Sequence, residues 1–360
     1  MIGVPHGVTA NSAQPPWSLS WGRGGSPFSN LTRDASHPCC FAMKAIRVHE
    51  FGSPEVLRWE EIATPEPGAA EVLVKVHAVG VNPVETYLRS GSNPALKLPY
   101  TPGTDAVGVI EKVGANVKAR TGERIYTSST ISGAYAEYAL CRESDVHSLP
   151  EKLSFVEGAA INIPYATAYR ALFQRGGAQA SDVVLIHGAS GGVGVAATQL
   201  AREARLKIIG TAGTERGLEL VREQGAHLVL DHRTPDYLQQ AMAFTNGNGV
   251  NLIVEMLANV NLGKDLPLIA KGGRVVVVGS RGKVEIMPRD LMGREADVRG
   301  LMLFNASAAE LQSIHTALHS GFESGALKPI IGKQLALADA AQAHKDVMSP
   351  GAYGKIVLVP

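Results

Sequence analysis

The chain has 360 residues, of which 45% are hydrophobic and 19% charged, and its formal net charge is +1. No apolar run approaches the roughly 20 residues that cross a bilayer, and a charge this close to zero gives no overall attraction to nucleic acid or to an anionic membrane. Three cysteines are too few for a disulfide framework. The length allows about two domains of ordinary size.

Residues 1–42 differ from the rest in composition. They are rich in Gly, Ser, Pro and Asn, contain one acid (Asp34) and show no periodic apolar face, which predicts disorder. The simplest interpretation is an extension before a second start at Met43, where folded sequence begins. An organelle transit peptide is the alternative. The low cysteine usage predicts a cytoplasmic protein, with mitochondrial targeting by residues 1–42 left open.

Short strand-like runs separated by turns follow from Met43 to about Leu140. Clusters such as Pro65–Gly68 and Pro102-Gly103 punctuate them. Few long helical patterns intervene, so this part is predicted to be a small β-barrel. The runs are Lys44–Phe51, Val56–Ile62, Glu71–Val81 and Ala106–Gly114, with two more between Arg124 and Leu140 around Gly133.

Strands and helices alternate after Pro150, beginning with helical spacing over Glu157–Phe173. Strands buried on both faces and joined by helices predict an α/β domain with a Rossmann-like, doubly wound parallel sheet that binds its ligand at the carboxyl ends of the strands. The last strand, Lys355–Val359, is predicted to return to the barrel. This division gives a barrel domain of residues 43–165 and 306–360 and a nucleotide domain of residues 166–305. The strand candidates are Val183–His187, Lys207–Thr211, Leu228–Asp231, Asn251–Met256, Arg274–Val278 and Arg299–Phe304, and the helical patterns are Val193–Arg205, Glu215–Gln224, Asp236–Phe244, Val260–Ala270, Pro288–Glu295 and Ala308–Ser320.

A glycine-rich turn, Gly188–Gly194, lies between the first of these strands and its helix. A P-loop would need a Lys-Ser/Thr pair after the last glycine, where this chain has Val195-Ala196. A hydrolase elbow would make Ser190 a nucleophile, with Asp339 and His344 among the possible partners. The spacing G-x-x-G-x-x-G after a strand favours a dinucleotide site instead.

The next strand ends in Gly210–Thr214, which is small and neutral. An NAD enzyme usually has an acid at this tip for the ribose 2′-hydroxyl, and that acid would repel a 2′-phosphate. Its absence favours NADPH over NADH. Glu215 follows directly and is explained as an acid in the first turn of the next helix.

A glycine-rich barrel followed by a nucleotide half resembles the medium-chain dehydrogenase/reductase superfamily. Its zinc alcohol dehydrogenases carry a cysteine ligand after a Gly-Val of the barrel and a histidine ligand in a Gly-His-Glu motif. This chain has Asn82 after Gly80-Val81, and Gly103-Thr104-Asp105 at the second place. Because the thiolate and the imidazole are both missing, no catalytic zinc or other metal is expected.

Seven stretches define the resemblance more closely. On them, the chain from Met43 onward resembles the zeta-crystallin family of NADPH:quinone oxidoreductases, a zinc-free branch of that superfamily whose barrel is GroES-like. The first 42 residues lie outside the match. The stretches are Gly80–Gly91, Pro99–Asp105, Thr127–Leu140, His187–Gly194, Gly210–Glu215, Glu255–Leu262 and Val277–Gly282.

The resemblance implies a role for each matching residue. Tyr87 would close over the nicotinamide as a catalytic and cofactor-binding residue, and Asn82 nearby would be the second catalytic residue. The other implied cofactor residues are Ser190, Gly191, Gly192 and Val193 at the pyrophosphate, Gly213 and His232 at the adenosine ribose and its 2′-phosphate, and Asn261, Val278, Gly279, Ser280, Arg281, Leu301, Met302 and Leu303 at the far ribose and nicotinamide side. Plainer roles stay open, because Asn82 could shape a turn, Tyr87 could be an ordinary half-buried aromatic, and His232 could be a surface loop residue.

The implied reaction is reduction of a quinone, ortho-quinones included, by hydride from NADPH, with Tyr87 giving the product oxygen a hydrogen bond or a proton. The family also implies a cytosolic homotetramer and AU-rich RNA as a second ligand. One alternative is an NADPH-dependent enoyl or alkenal reductase. The other is a nucleotide-binding structural (crystallin) protein or an AU-rich RNA-binding protein. The near-neutral charge argues against RNA as the primary ligand.

Overall fold

The computed structural model describes residues 41–360, so the expected extension lies almost wholly outside the described residues. The N-terminal part is mainly β-sheet, as predicted. Its strands are β1 (Ala42–Val48), β2 (Leu57–Ala63), β3 (Glu71–Gly80), β4 (Asp105–Val113), β5 (Arg124–Thr127), β6 (Tyr138–Arg142) and β7 (Val146–Ser148), with helix α1 (Pro83–Arg89) between β3 and β4.

Two later strands from the end of the chain complete this sheet. The helices α9 (Ala308–Ser324) and α10 (Ala340–Asp346) flank β14 (Ile331–Ala336), and β15 (Lys355–Val359) is last. The strand order is β14-β15-β3-β4-β5-β7, with β6 also paired to β3, while β1 and β2 form a separate antiparallel hairpin. The predicted return of the last strand is confirmed, because Val357 and Leu358 pair with Gly80 and Val79 of β3.

A second sheet contains six parallel strands. They are β8 (Val183–Ile186), β9 (Lys207–Ala212), β10 (Leu228–Asp231), β11 (Val250–Glu255), β12 (Ile269–Val277) and β13 (Asp297–Gly300), in the order β10-β9-β8-β11-β12-β13. This is the doubly wound order, and its topological switch point lies between β8 and β11. The α/β fold class with a Rossmann-like sheet is therefore confirmed.

Helices connect these parallel strands on both sides. They are α4 (Gly192–Glu203), α5 (Glu215–Glu223), α6 (Tyr237–Phe244), α7 (Ala258–Asp265) and α8 (Pro288–Met292). Before β8 lie α2 (Phe155–Gly158) and α3 (Thr167–Tyr169), and π-helical turns at Asn162–Ala166 and Arg170–Arg175 extend α3 on both sides. Within residues 41–360, no helix combines the length and apolar character that a membrane span requires.

Among residues 166–305, three predicted elements end three residues or more before their expected ends, and one of them is the helix predicted for Pro288–Glu295, which stops at Met292. The strand predicted for Arg299–Phe304 stops at Gly300, and Leu303–Asn305 forms a 3₁₀ turn as the chain leaves the sheet towards the barrel. The helix predicted for Val260–Ala270 stops at Asp265, because Pro267 cannot donate a hydrogen bond within it. The sequence also missed α1, β14 and α10.

One hydrophobic core joins the two sheets. Val107 and Tyr126 of the barrel sheet pack in the same cluster as Val184 and Ile186 of β8. Ile314 of α9 is also buried there. The barrel sheet and the carboxyl edge of the parallel sheet are thereby held against each other, which positions a shared cleft.

Candidate active site

The glycine-rich turn joins β8 to α4 at the switch point of the parallel sheet. Gly188 has a φ of +57°, a conformation that favours glycine. At Gly194 an added Cβ would lie 2.3 Å from the Gly188 carbonyl oxygen, so only glycine lets the turn fold back on the helix. Gly191 caps α4 without a side-chain hydrogen bond. The first N–H groups of α4 are therefore available to an anion.

A strap from the C-terminal segment covers one side of this turn. The Ser190 hydroxyl donates to the Ala352 carbonyl at 2.7 Å, and the Gly354 N–H donates to the Ser190 carbonyl at 2.7 Å. Ser190 is buried. Its hydroxyl thus has a carbonyl acceptor where a hydrolase would need a base, and His344 instead contacts the Tyr135 hydroxyl at 3.2 Å. This arrangement argues against the hydrolase alternative.

The adenosine end of the candidate site lies at the tips of β9 and β10. An added Cβ at Gly213 would lie 2.4 Å from His232 Nε2, so the exposed imidazole packs directly on the glycine. Thr214 caps α5 by accepting from the Gly217 N–H at 3.0 Å. Glu215 begins α5, as the sequence analysis proposed. The sequence did not single out Arg216, whose guanidinium lies over the Tyr353 ring, 3.7 Å from its centroid.

The residues expected at the nicotinamide side follow β12 and β13. At Gly279 an added Cβ would lie 2.4 Å from the Met256 carbonyl oxygen, so glycine is required there. Val278 is half-buried, Ser280 and Arg281 are exposed, and the Arg281 N–H donates to Asn259 Oδ1 at 2.8 Å. Leu301 is half-buried and Met302 exposed, but the Leu303 side chain packs into the core, so it is not free to line a ligand.

Asn261, another expected cofactor residue, rests on a buried cluster of one histidine and two carboxylates. We call His187, Glu255 and Asp265 the histidine cluster. His187 Nε2 lies 2.8 Å from Asp265 Oδ1 and 3.4 Å from Glu255 Oε2. The Asn261 amide donates to Glu255 Oε1 at 3.1 Å, and the Leu257 N–H donates to the same oxygen. The cluster therefore fixes the orientation of the Asn261 amide through Glu255.

Burial and charge act against each other in the histidine cluster. Burial alone would lower the pKa of His187, but the charge and hydrogen bond of Asp265 outweigh it, so the pKa of His187 lies above its ordinary value. Burial raises the pKa of Glu255. No hydrogen-bond partner is found for Glu255 Oε2 or Asp265 Oδ2 among residues 41–360. A proton held on Glu255 would let its carboxyl group donate a hydrogen bond to the Asp265 carboxylate.

A second buried cluster lies on the barrel side, beneath the start of α1. We call Lys355, Asn82, Asp105 and Glu85 the lysine cluster. The Lys355 ammonium donates to Asn82 Oδ1 and lies 3.2 Å from Asp105 Oδ2. Asn82 Nδ2 donates to Asp105 Oδ2 at 2.9 Å and to Glu85 Oε1 at 3.2 Å. All four residues are 5% exposed or less.

Glu85 ties this cluster to the helix and to the barrel interior. Its carboxylate accepts from the Asn82 N–H at 2.9 Å, which closes the N-terminus of α1, and from the Tyr135 hydroxyl at 2.6 Å. Burial raises the pKa of Glu85 to about 7, although the hydrogen bonds and Lys355 oppose this. Every polar atom of the Asn82 side chain thus has an internal partner, and Asn82 supports the start of α1.

Tyr87 lies on α1, one turn beyond Asn82, and its side chain is half-buried. Beside α1 is a cleft of about 460 Å³, within the size range of small-molecule sites. Val84, Glu85 and Leu88 line it from α1, and Phe304 lines it from the end of the parallel sheet. The two halves of the molecule thus contribute to one cleft.

The places where zinc relatives carry their metal ligands hold Asn82 and Thr104 in this chain. Asn82 Oδ1 is engaged by the Lys355 ammonium, and Asp105 Oδ1 accepts from the Asn162 amide at 3.0 Å and the Ile163 N–H at 3.2 Å. An amide, a hydroxyl and an engaged carboxylate beside a fixed cation do not make a zinc donor set.

Sequence reasoning overlooked Lys355, Glu85 and Phe304. A lone lysine within an apolar strand was a usable signal for Lys355, and an acid three residues after Asn82 was one for Glu85, since that spacing is typical of helix N-termini. Phe304 was assigned to a strand, and only the early end of β13 places it at the cleft.

Two family models match the chain. Residues 68–151 match the alcohol dehydrogenase GroES-like domain, and residues 192–319 match a domain described as zinc-binding dehydrogenase. The first range covers much of the barrel sheet, and the second begins in the glycine-rich turn.

Individual relatives match over most of the chain. Human quinone oxidoreductase is 54% identical over 321 residues, covering 88% of this chain and 98% of the human protein. Quinone oxidoreductase 1 of Escherichia coli K12 is 29% identical over 323 residues, covering 88% and 99%. The solved structure of Escherichia coli quinone oxidoreductase complexed with NADPH superposes with a TM-score of 0.80 at 28% identity, covering 88% of this chain and 100% of that one. A mycobacterial protein complexed with NADPH gives a TM-score of 0.82 at 30% identity, with the same coverage.

Proposed function

The chain belongs to the quinone oxidoreductase family and is an oxidoreductase with NADPH as its cofactor, and we propose that it reduces quinones, ortho-quinones among them, without a zinc ion. The observation that carries this proposal is the position of the glycine-rich turn. It opens the N-terminus of α4 at the carboxyl edge of the parallel sheet, and Phe304, which follows β13 at that edge, lines the barrel cleft. A dinucleotide and a small planar acceptor can therefore lie side by side between the two halves.

The residues at this edge fit a phosphorylated dinucleotide. The backbone N–H groups of Gly192 and Val193 would hold the pyrophosphate, and the unpaired start of a helix suits that charge. The neutral tip at Gly213 and the nearby side chains of His232 and Arg216 would favour a 2′-phosphate over a free hydroxyl. Asn261, held by Glu255, and the segments after β12 and β13 would line the nicotinamide side.

When bound, NADPH supplies the hydride, and the protein's task is to orient both partners and exclude water. The half-buried Tyr87 on α1 is our candidate for the group that gives a hydrogen bond or proton to the reduced oxygen. Asn82 is a positioning residue in this proposal, since its amide is engaged inside the lysine cluster.

A zinc ion is not needed in this scheme. The reduced quinone carries its charge on an oxygen that the ring itself stabilises, whereas a simple alkoxide needs a Lewis acid. Two features support the zinc-free proposal: Asn82 and Thr104 stand where relatives carry cysteine and histidine, and the Lys355 ammonium lies against Asn82 and Asp105.

An assay of cofactor oxidation with a panel of acceptors tests the proposal. NADPH and NADH are each supplied with an ortho-quinone, a para-quinone and a conjugated alkenal. We expect fastest turnover with NADPH and the ortho-quinone. Turnover of the alkenal alone would move the assignment to the C=C reductase alternative. No turnover of any of the three acceptors would contradict the proposal.

Several expectations stay predictions. They are the homotetramer, AU-rich RNA as a second ligand, the cytoplasmic location and the domain bounds at residues 165/166 and 305/306. Measurement of the solution mass would test the tetramer, and a steep salt dependence of RNA affinity would indicate a local basic patch.

A further inference from the structure

The Lys355 ammonium occupies a place prepared for it by the surrounding chain. An added Cβ at Gly80 would lie 2.7 Å from Lys355 Cε, and one at Gly192 would lie 3.7 Å from Lys355 Cδ. Gly80 of β3 thus leaves room for the lysine stem, whereas a side chain at Gly192 would only be in ordinary contact with it. Lys355 as a whole is 5% exposed, and its ammonium lies on the barrel side of the site, against Asp105.

The contacts of this ammonium converge on the N-terminus of α1. Asn82 is the N-cap residue of α1, and its side chain is held between Lys355 on one side and Asp105 on the other. Glu85, in the first turn of α1, accepts from both the backbone and the side chain of Asn82. Among the described residues, Lys355 is the cation in contact with Asp105, and its charge also lowers the pKa of the nearby Glu85. Without it, two acids would remain in the interior beside a neutral amide.

Lys355 also follows directly on the strap that covers the glycine-rich turn. Gly354 donates to the Ser190 carbonyl at 2.7 Å, and Gly191 and Gly354 form a parallel bridge. One short segment therefore touches the cofactor turn through Gly354 and the substrate helix through Lys355. Lys355 is therefore placed where it could set the distance between the glycine-rich turn and α1.

We propose that Lys355 is a positioning residue: acting through Asn82, it fixes the N-terminus of α1 and so sets the position of Tyr87 on the helix that borders the cleft. The inference rests on the proposed quinone reduction. Lys355 touches neither substrate nor cofactor in this account. Its contribution is to balance the buried charge of Asp105 and to hold the Asn82 amide in one orientation.

The test compares Lys355→Met with the double variant Lys355→Met/Asp105→Asn. Methionine keeps the unbranched stem between the two glycines and removes the charge. The added Asp105→Asn change removes one of the stranded carboxylates, and its amide can bond to Asn82 Oδ1 once the ammonium is gone. Lys333→Met is the matched control, because Lys333 lies on the neighbouring strand β14 in an exposed pair with Asp346.

For Lys355→Met we expect kcat with an ortho-quinone to fall about 10–100-fold, the range for a misplaced reacting group. The KM for NADPH should stay within about threefold, because the cofactor-side contacts remain. The double variant should regain most of the lost kcat, and Lys333→Met should match the wild type. A lysine that only filled space would not give this recovery.

Two outcomes overturn the inference: a kcat for Lys355→Met within about twofold of wild type, or a double variant as slow as the single one. Should Lys355→Met fail to fold, the double variant is compared directly with wild type, and a kcat more than about tenfold below wild type contradicts the inference. Failure of the proposed function is recognised separately, since the wild-type protein would then show no NADPH-dependent quinone turnover.

Discussion

The two buried clusters use the same components in the two halves of the molecule. Each combines two carboxylates with one basic nitrogen and holds an asparagine: Asn261 above the histidine cluster and Asn82 within the lysine cluster. They differ in the base. The base is an ammonium in the lysine cluster and an imidazole in the histidine cluster, where Asp265 raises the pKa of His187 above its ordinary value.

This difference shows how the site divides its work. In the lysine cluster the group with the shifted pKa is an acid, because burial raises the pKa of Glu85 to about 7. In the histidine cluster Asp265 raises the pKa of the base, His187. A buried acid thus responds to pH beneath α1, and a buried base responds beneath Asn261, which is expected to bind the cofactor.

The largest expected effect comes from removing the base of the histidine cluster. His187→Leu leaves Glu255 and Asp265 buried without a positive partner. We expect the free energy of unfolding to fall by about 3–5 kcal/mol, as for other broken buried pairs. Urea unfolding at pH 7 measures it. The control Lys271→Ala breaks an exposed pair with Glu295 in the same half and should cost less than about 1 kcal/mol. Equal losses of unfolding free energy in the two variants would show that His187 does not stabilise the buried charges of Glu255 and Asp265.

The second prediction concerns pH and the lysine cluster. Because Glu85 keeps its proton in the folded protein up to about pH 7, against an ordinary pKa of 4.5, its ionisation destabilises the fold as pH rises. Its contribution is full below pH 4.5 and is lost as the pH passes through about 7. The free energy lost is on the order of 3 kcal/mol.

Glu85→Gln isolates this contribution, because glutamine does not titrate. The difference in unfolding free energy between wild type and variant, measured at several pH values from 5 to 8, should shift in favour of the variant as the pH rises. Parallel curves for the two proteins would mean that Glu85 has an ordinary pKa and that its burial in the cluster does not raise it.

The third prediction separates substrate chemistry from cofactor binding. Tyr87→Phe removes one hydroxyl and keeps the ring on α1. We expect kcat for an ortho-quinone to fall about 10–100-fold, the low range of general acid effects, with the affinity for NADPH unchanged. Unchanged quinone turnover would remove Tyr87 from this role and leave it as an ordinary half-buried aromatic.

The smallest effect is expected on the cofactor side. Asn261→Leu removes an amide that Glu255 holds in place, and we expect the Kd for NADPH to rise about tenfold, the value of one well-placed hydrogen bond. Fluorescence titration with NADPH measures it, and the KM for the quinone serves as the internal control. A change in quinone KM with no change in NADPH affinity would reverse the division between the two clusters.

Regular elements could be predicted from the sequence because their signals are local. The alternation of apolar runs and helical patterns gave every strand of the parallel sheet, and the glycine spacing gave the turn at its switch point. The short helix α1 was missed because seven residues starting at a proline show little periodicity. The predicted end of β13 was wrong because the apolar residues 301–304 do not pair in the sheet. Leu301 and Leu303 pack in the core, and Phe304 lines the cleft.

The clusters could not be predicted because their members are far apart in the chain. Lys355 and Asp105 are 250 residues apart, and His187 and Asp265 are 78 apart. No periodic pattern connects such positions, and only the return of β15 to β3 brings Lys355 to Asn82. The catalytic role that the resemblance implies for Asn82 stays a prediction, but the contacts that hold its amide beneath α1 could not be read from the sequence.

The most direct test of the account is the rate of ortho-quinone reduction by protein depleted of metal with a strong chelator. We predict an unchanged rate with NADPH, at least about tenfold above that with NADH, which corresponds to about 1.4 kcal/mol of discrimination. A rate that is lost on chelation and restored by Zn²⁺ would contradict the account, because the lysine cluster would then not be the resident positive charge of the site.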